Sequence, residues 1–264
     1  MDASTEISKY TIVIVQSLKD SDLKTGKMLY ENLSSTLIVK YPDISVKFYD
    51  VRDKKELAKA FWKIYNEIED GELVTLQLEA HGCEEGVGLT SDELVTWKQL
   101  FDLIRPINVK MVNLLMVCMS MCYGGAIITK FEPEKRAPYR AFIGVGSTIK
   151  AGVLLDGFSV FYENYHHLLD SFAAYEAMKN ATIDPYTGKS PFWFMTSEEV
   201  FKKTLDPDRD PDNFRHIVNE QYVKQKSEGK DVTLEQVSSE VRELLLETYK
   251  RYHQNFTFRD VIFK

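Results

Sequence analysis

LVTLQLEAHG, residues 73–82, decides the fold. Leu73 to Leu78 is a mainly apolar run of strand length, and Glu79-Ala80-His81-Gly82 follows it without a break. A short apolar run bounded by polar and glycine residues reads as a buried strand. It delivers a histidine and a glycine side by side to its C-terminal end. Such a histidine can be a metal ligand, a general base or a capped core residue, and the rest of the chain has to distinguish these.

Outward from this segment the pattern alternates. Tyr10 to Val15 is β-branched and apolar, residues 22–40 carry apolar positions at helical spacing, and Pro42-Asp43 ends them. Ile44 to Tyr49 reads as a second strand and residues 54–69 as a charged amphipathic helix. Beyond the quoted strand, Trp97 to Ile104 looks helical and is stopped by Pro106. Val109 to Met119 reads as a fourth strand and Ala141 to Val145 as a fifth; residues 153–167 and 171–181 read as helices. Strands alternating with helices predict a mainly parallel sheet covered on both faces, a three-layer α/β/α sandwich. Ligands of such sheets gather at the C-terminal ends of the strands. His81 lies at one such end, and residues 118–125 run off the next.

After residue 185 the character changes. The acidic, turn-rich stretch Asp206 to Asp212 precedes two charged helical patterns, residues 212–227 and 233–253. The expected division is therefore an α/β domain over 1–185 and a helical C-terminal extension over 186–264, packed on it or beside it.

The bulk properties narrow the function. With 33 basic and 40 acidic residues the net charge is −7, and no Lys/Arg cluster supplies the basic face that phosphate neutralisation needs. Nucleic acid is not an expected partner. The first ten residues are polar and lack the apolar segment of a signal peptide. No apolar run approaches the roughly 20 residues that span a bilayer, so no membrane partner is expected either. Three cysteines, Cys83, Cys118 and Cys122, do not form a disulfide framework, which suits a reducing cytoplasm with free thiols. A nucleotide-binding reading fails at the first turn, where VQSLKDSDLKTGK holds one late glycine.

The fourth strand's exit reads VCMSMCYGGAII, residues 117–128. A Gly-Gly pair entering an apolar segment suits a tight turn into a helix, with backbone amides free to face a ligand. A thiol at such a turn becomes a nucleophile when a histidine ionises it. His81 and a strand-end cysteine would thus form a dyad, with the amides of Gly82 and Cys122 as oxyanion donors. If the strand runs that far, alternation sends Cys118, Ser120 and Cys122 to one side, so direction does not separate the two cysteines. Turn chemistry favours Cys122 as nucleophile and leaves Cys118 as a small buried hydrophobe. Glu79 shares a strand face with His81; it could orient the imidazole, line a pocket for a basic side chain, or make a structural ion pair. Asp156 could line the same pocket or be a solvated or helix-capping residue. A zinc site built from His81, Cys83, Cys118 and Cys122 is the competing chemistry, but the spacing lacks the usual tight knuckle. The aromatic stretch SPFWFMT, residues 190–196, could be a substrate lid, an anchoring segment or a core-filling segment.

An apolar block ending in His-Gly, followed by one ending in Cys, resembles the caspase-like cysteine peptidases. EAHG, GVGLTSDELVTWKQLFDLIRPIN, VNLLMVCMSMCYGG, FIGVGSTIKAGVLLDGFSVFYENY and EAMKNA occur in the order of the bacterial branch related to metacaspases and CHAT domains. The resemblance covers roughly residues 8–182. It implies a caspase-haemoglobinase-like fold and a thiol protease in which His81 and Cys122 cleave a protein or peptide substrate without a cofactor. Ser120, two residues before Cys122, is uncharged, so specificity for aspartate is not implied. The C-terminal helices would then serve an activating partner or a homodimer. A caspase fold kept as an inactive scaffold or interaction protein is the alternative.

Overall fold

The structure, a computed structural model, describes residues 9–130, 132–168 and 170–262. Its chain divides into two compact units. The first comprises the chain up to Lys130 with Pro138–Met195; the second comprises the chain from Thr196 on with the short stretch ending at Ala137.

The first unit is built on an eight-stranded sheet. Its elements are β1 (Lys9–Ser17), α1 (Thr25–Lys40), β2 (Ile44–Asp50), α2 (Lys54–Glu67), β3 (Glu72–Gly82), β4 (Gly86–Gly88), β5 (Leu94–Thr96) and α3 (Trp97–Lys110). They continue with β6 (Met116–Ser120), a 3₁₀ helix (Gly124–Lys130), β7 (Ala141–Val145), α4 (Ala151–Leu168), α5 (Ser171–Ala181) and β8 (Phe192–Thr196). The strand order is β2-β1-β3-β6-β7-β8, and β4 and β5 form a small antiparallel appendage on the end of β3. The pairs β1–β2, β1–β3, β3–β6 and β6–β7 are parallel. Residues of both parities are buried along β1 and β3, from Ile12, Ile14, Val74, Leu76 and Leu78 to Val13, Val15, Leu73 and Thr75. A strand apolar on both sides needs cover on both faces, which makes the arrangement compatible with three layers.

Three expectations are corrected here. Pro106 does not stop α3, which runs on to Lys110. Proline removes one backbone donor, but Ile107 and Asn108 just beyond it are buried and hold the last turn against the core. The fourth strand starts at Met116, not at Val109. Val112 and Asn113 adopt left-handed φ of 52° and 63°, and Asn108 ties this turn by donating to Asn113 and accepting from the Leu115 amide. The boundary expected after residue 185 also moves. Residues 186–195 belong with the sheet, because Phe192 is buried against Phe158 and Gly157 of α4.

The second unit comprises α6 (Ser197–Leu205), α7 (Pro211–Ser227), α8 (Leu234–Tyr252), α9 (Gln254–Thr257) and α10 (Arg259–Ile262). Thr196 with Glu199 and Thr233 with Gln236 form capping boxes that start α6 and α8. One core gathers Phe201, Leu205, Phe256 and Phe258 around Ala137; another gathers Val218, Val237 and Val241 between α7 and α8. The stretch ending at Ala137 is bound in by the Ala137 amide on the Asn255 carbonyl and by the Arg136–Asp260 ion pair.

Candidate active site

β3 runs past the sheet's parallel ladder. It pairs with β1 as far as Ala80 and with β6 as far as Glu79, opposite Ser120. Two residues further along each chain stand His81 and Cys122, so the register brings the ends carrying them side by side. There β3 changes partner, and His81 and Gly82 pair with Gly88 and Val87 of β4. Gly82 lies against the cysteine turn so closely that an added Cβ would sit 2.0 Å from the Cys122 carbonyl oxygen. No residue but glycine fits that approach.

The His81 side chain is 65% exposed, and its Nε2 lies 2.9 Å from Oδ2 of Asp22. Asp22 belongs to the loop between β1 and α1. Its carboxylate also accepts the Lys19 amide, and the His81 hydrogen bond is the main cause holding its pKa below the usual carboxylate range. An ionised carboxylate can only accept, so Nε2 carries the proton and Nδ1 of the neutral ring is the free base. The residue beside His81 is therefore Asp22, which the sequence reading did not single out. Glu79 was a candidate for that position, but it does not reach the imidazole.

Glu79 reaches the end of the same loop as His81 but lies buried within the protein. It is 2% exposed, accepts from Thr25 Oγ1 at 2.6 Å and from Gln77 Nε2 at 2.7 Å, and its pKa is pushed up to about 7 by burial. Gln77 in turn accepts from the Tyr162 hydroxyl. Ser120 is buried as well; its hydroxyl lies near enough to Glu79 to favour the ionised form, but outside hydrogen-bonding geometry. Neither Glu79 nor Ser120 is open to solvent as a pocket wall.

The two cysteines of this segment have different surroundings. Cys118 is fully buried within β6, and burial pushes its thiol pKa up. Cys122 lies just past the strand, half-buried, at a turn that Tyr123 makes with φ 55°. A left-handed non-glycine residue is a strained position that the surroundings must hold. The loop after β7 holds it: the Tyr123 amide donates to the Ser147 carbonyl, and the Ile149 amide donates to Cys122 Sγ at 3.4 Å. The thiol is also within 3.7 Å of the Ile149 carbonyl. Among the described residues no hydrogen bond joins the His81 ring to the Cys122 thiol. Cys83 faces the Gly86 carbonyl in the β3–β4 turn.

Ile149 also borders a cleft of about 580 Å³, lined further by Val153, Asp156, Asp184, Lys189 and Pro191. Asp156 is exposed on α4 and faces this cleft. Asp184 is occupied by the Tyr186 and Thr187 amides. Trp193 of β8 lies across the backbone of Gly125 and Gly146 with 45% of its surface exposed, while its neighbour Phe192 fills the core. Of the roles expected of the aromatic stretch, Phe192 takes the core-filling one.

Among the described residues no three His, Cys, Asp or Glu side chains gather as a metal site, and no helix is long and apolar enough to cross a membrane. No known family model matches the chain, and no curated protein is significantly similar to it.

Proposed function

We propose that the protein is a caspase-like cysteine peptidase of protein or peptide substrates, with His81 as base and Cys122 as nucleophile. The observation that carries the reading is the meeting of two strand ends: a histidine whose Nε2 is committed to Asp22, next to a turn that presents a half-buried thiol. In this scheme Nδ1 of His81 takes the Cys122 proton. The thiolate then attacks the peptide carbonyl while the Gly82 and Cys122 amides receive the oxyanion. The imidazolium returns the proton to the leaving amine. Water, deprotonated by the same ring, then hydrolyses the thioester and regenerates the thiol. In this scheme the cleft that Ile149 borders receives a substrate side chain, and Asp156 offers it a carboxylate. The resemblance to caspase-like folds, the cytoplasmic setting and a role of the helical unit in binding an activator or a second copy belong to this proposal.

A second reading, an inactive scaffold on the same fold, is favoured by one observation. The thiol faces Ile149 and the imidazole faces Asp22, and neither bonds the other. The test is the pH dependence of iodoacetamide alkylation at each cysteine, read by peptide mass spectrometry in the parent and in His81→Ala. A Cys122 that reacts far faster than Cys83 and Cys118 near neutrality, and loses that lead in His81→Ala, supports the dyad. Equal, slow rates indifferent to His81 support the scaffold.

A further inference from the structure

Helix α1 begins without a side-chain cap of its own: Lys24 stands at its N-cap and makes no capping bond. The sheet supplies what is missing. Gln16, Glu79 and Ser120 form one row across β1, β3 and β6, since Gln16 pairs with Glu79 and Glu79 with Ser120. Gln16 accepts the Lys27 amide at 3.1 Å, and Glu79 accepts the Thr25 hydroxyl. Gly26 seats between them, where an added Cβ would come within 2.8 Å of Glu79 Cγ and 3.0 Å of Gln16 Oε1. A carboxylate at this end also meets the positive pole of the helix.

Three residues before Thr25 comes Asp22. The loop between them is short and internally tied, by the Asp22 amide on the Lys19 carbonyl and the Thr25 amide on the Leu23 carbonyl. Wherever α1 starts, Asp22 follows. A ring therefore closes: Glu79 to Thr25, along the loop to Asp22, from Asp22 to His81, and two residues back along β3 to Glu79.

From this ring we infer that Glu79 is a positioning residue for His81, acting through Thr25 and the start of α1 to set where Asp22 meets the imidazole. The inference rests on the proposed role of His81 as base, and deepens it. Glu79 touches no substrate, being sealed beneath the site. Its carboxyl titrates near neutrality, so the anchoring bond changes character within the working range of such a base.

The experiment reads the His81 ring directly, without a substrate. Two-bond ¹H–¹⁵N spectra of histidine-labelled protein at about pH 8.5, where ordinary imidazole is neutral, report which nitrogen holds the proton; His81→Ala assigns the signal. The parent is expected to show the Nε2–H form almost exclusively, and Asp22→Ala to weaken that preference. Thr25→Val, which removes only the anchoring hydroxyl, is expected to shift the tautomer ratio the same way by about three- to tenfold, the worth of one hydrogen bond. Thr25→Ser is expected to match the parent. The inference is overturned if Thr25→Val keeps the parent ratio while Asp22→Ala changes it. Should Thr25→Val not fold, Glu79→Asp, which draws the carboxylate back by one methylene, takes its place with the same two outcomes. A tautomer that answers to Thr25 beside a Cys122 alkylation rate indifferent to His81 would uphold the positioning role and remove the peptidase reading, so the two fail separately.

Discussion

Cys118 and Cys122 stand four residues apart in one segment, with β6 ending between them. The first is walled in by the sheet and by Tyr162, and burial has raised its pKa. The second lies past the last ladder pair, on a strained turn clasped by the loop after β7. The difference shows that a strand's interior makes a thiol a hydrophobe, while its end leaves the same group half-buried at the surface of a turn. Composition is identical at the two positions; only the point at which the ladder stops separates them.

The comparison would break most decisively at Cys122 itself. Cys122→Ala is expected to lower hydrolysis of a library-selected peptide by at least about 10³-fold, as removal of a nucleophile does; turnover within tenfold of the parent would put the chemistry elsewhere. Next comes the buried carboxyl under the site. Its folded pKa, about 7, lies above the ordinary value of 4.5, so its contribution to stability is fully present below 4.5 and is lost as pH rises through 7. Between about pH 5 and 8.5 that loss is on the order of 3 kcal/mol. Urea unfolding at the two pH values is expected to show it in the parent and not in Glu79→Gln; equal pH dependence in both would place Glu79 outside the buried network. A smaller effect belongs to the exposed partner of the histidine. Asp22→Ala is expected to slow Cys122 alkylation at pH 7 by about tenfold, comparable with one charge-assisted hydrogen bond, and an unchanged rate would detach Asp22 from the site. Smallest is Cys118→Ala, expected to cost about 1 kcal/mol of stability while leaving Cys122 alkylation within about twofold. A large loss of Cys122 reactivity there would abolish the distinction between the two thiols.

Much of the sheet was readable because buried strands announce themselves. The runs at residues 10–15, 44–49, 73–78 and 141–145 each fall within an observed strand. The overlong fourth strand has a physical cause: Val109 to Met119 is apolar but for Lys110 and Asn113, and composition cannot display the left-handed turn at Val112 and Asn113. β8 was hidden behind the question of whether its aromatics cover a substrate or fill the core. The histidine's neighbour was the least legible feature. Asp22 is one of several acidic residues in a polar loop, 59 positions from His81, and only the parallel pairing of β1 with β3 brings them together. Alternation put Glu79 and His81 on one face, but not which of them turns inward. That depends on where α1 begins. The helical unit's claim on the stretch ending at Ala137 is equally a matter of long-range contact.

The change of partner along β3 has a consequence for motion. Residues 75–79 are flanked by β1 and β6 at once, so their amides should exchange with solvent only when the sheet itself opens. His81 and Gly82 lean on two pairs with the three-residue β4. Their protection should be set by the opening of that small appendage alone. The end of β3 is therefore expected to open at lower cost than the strand behind it.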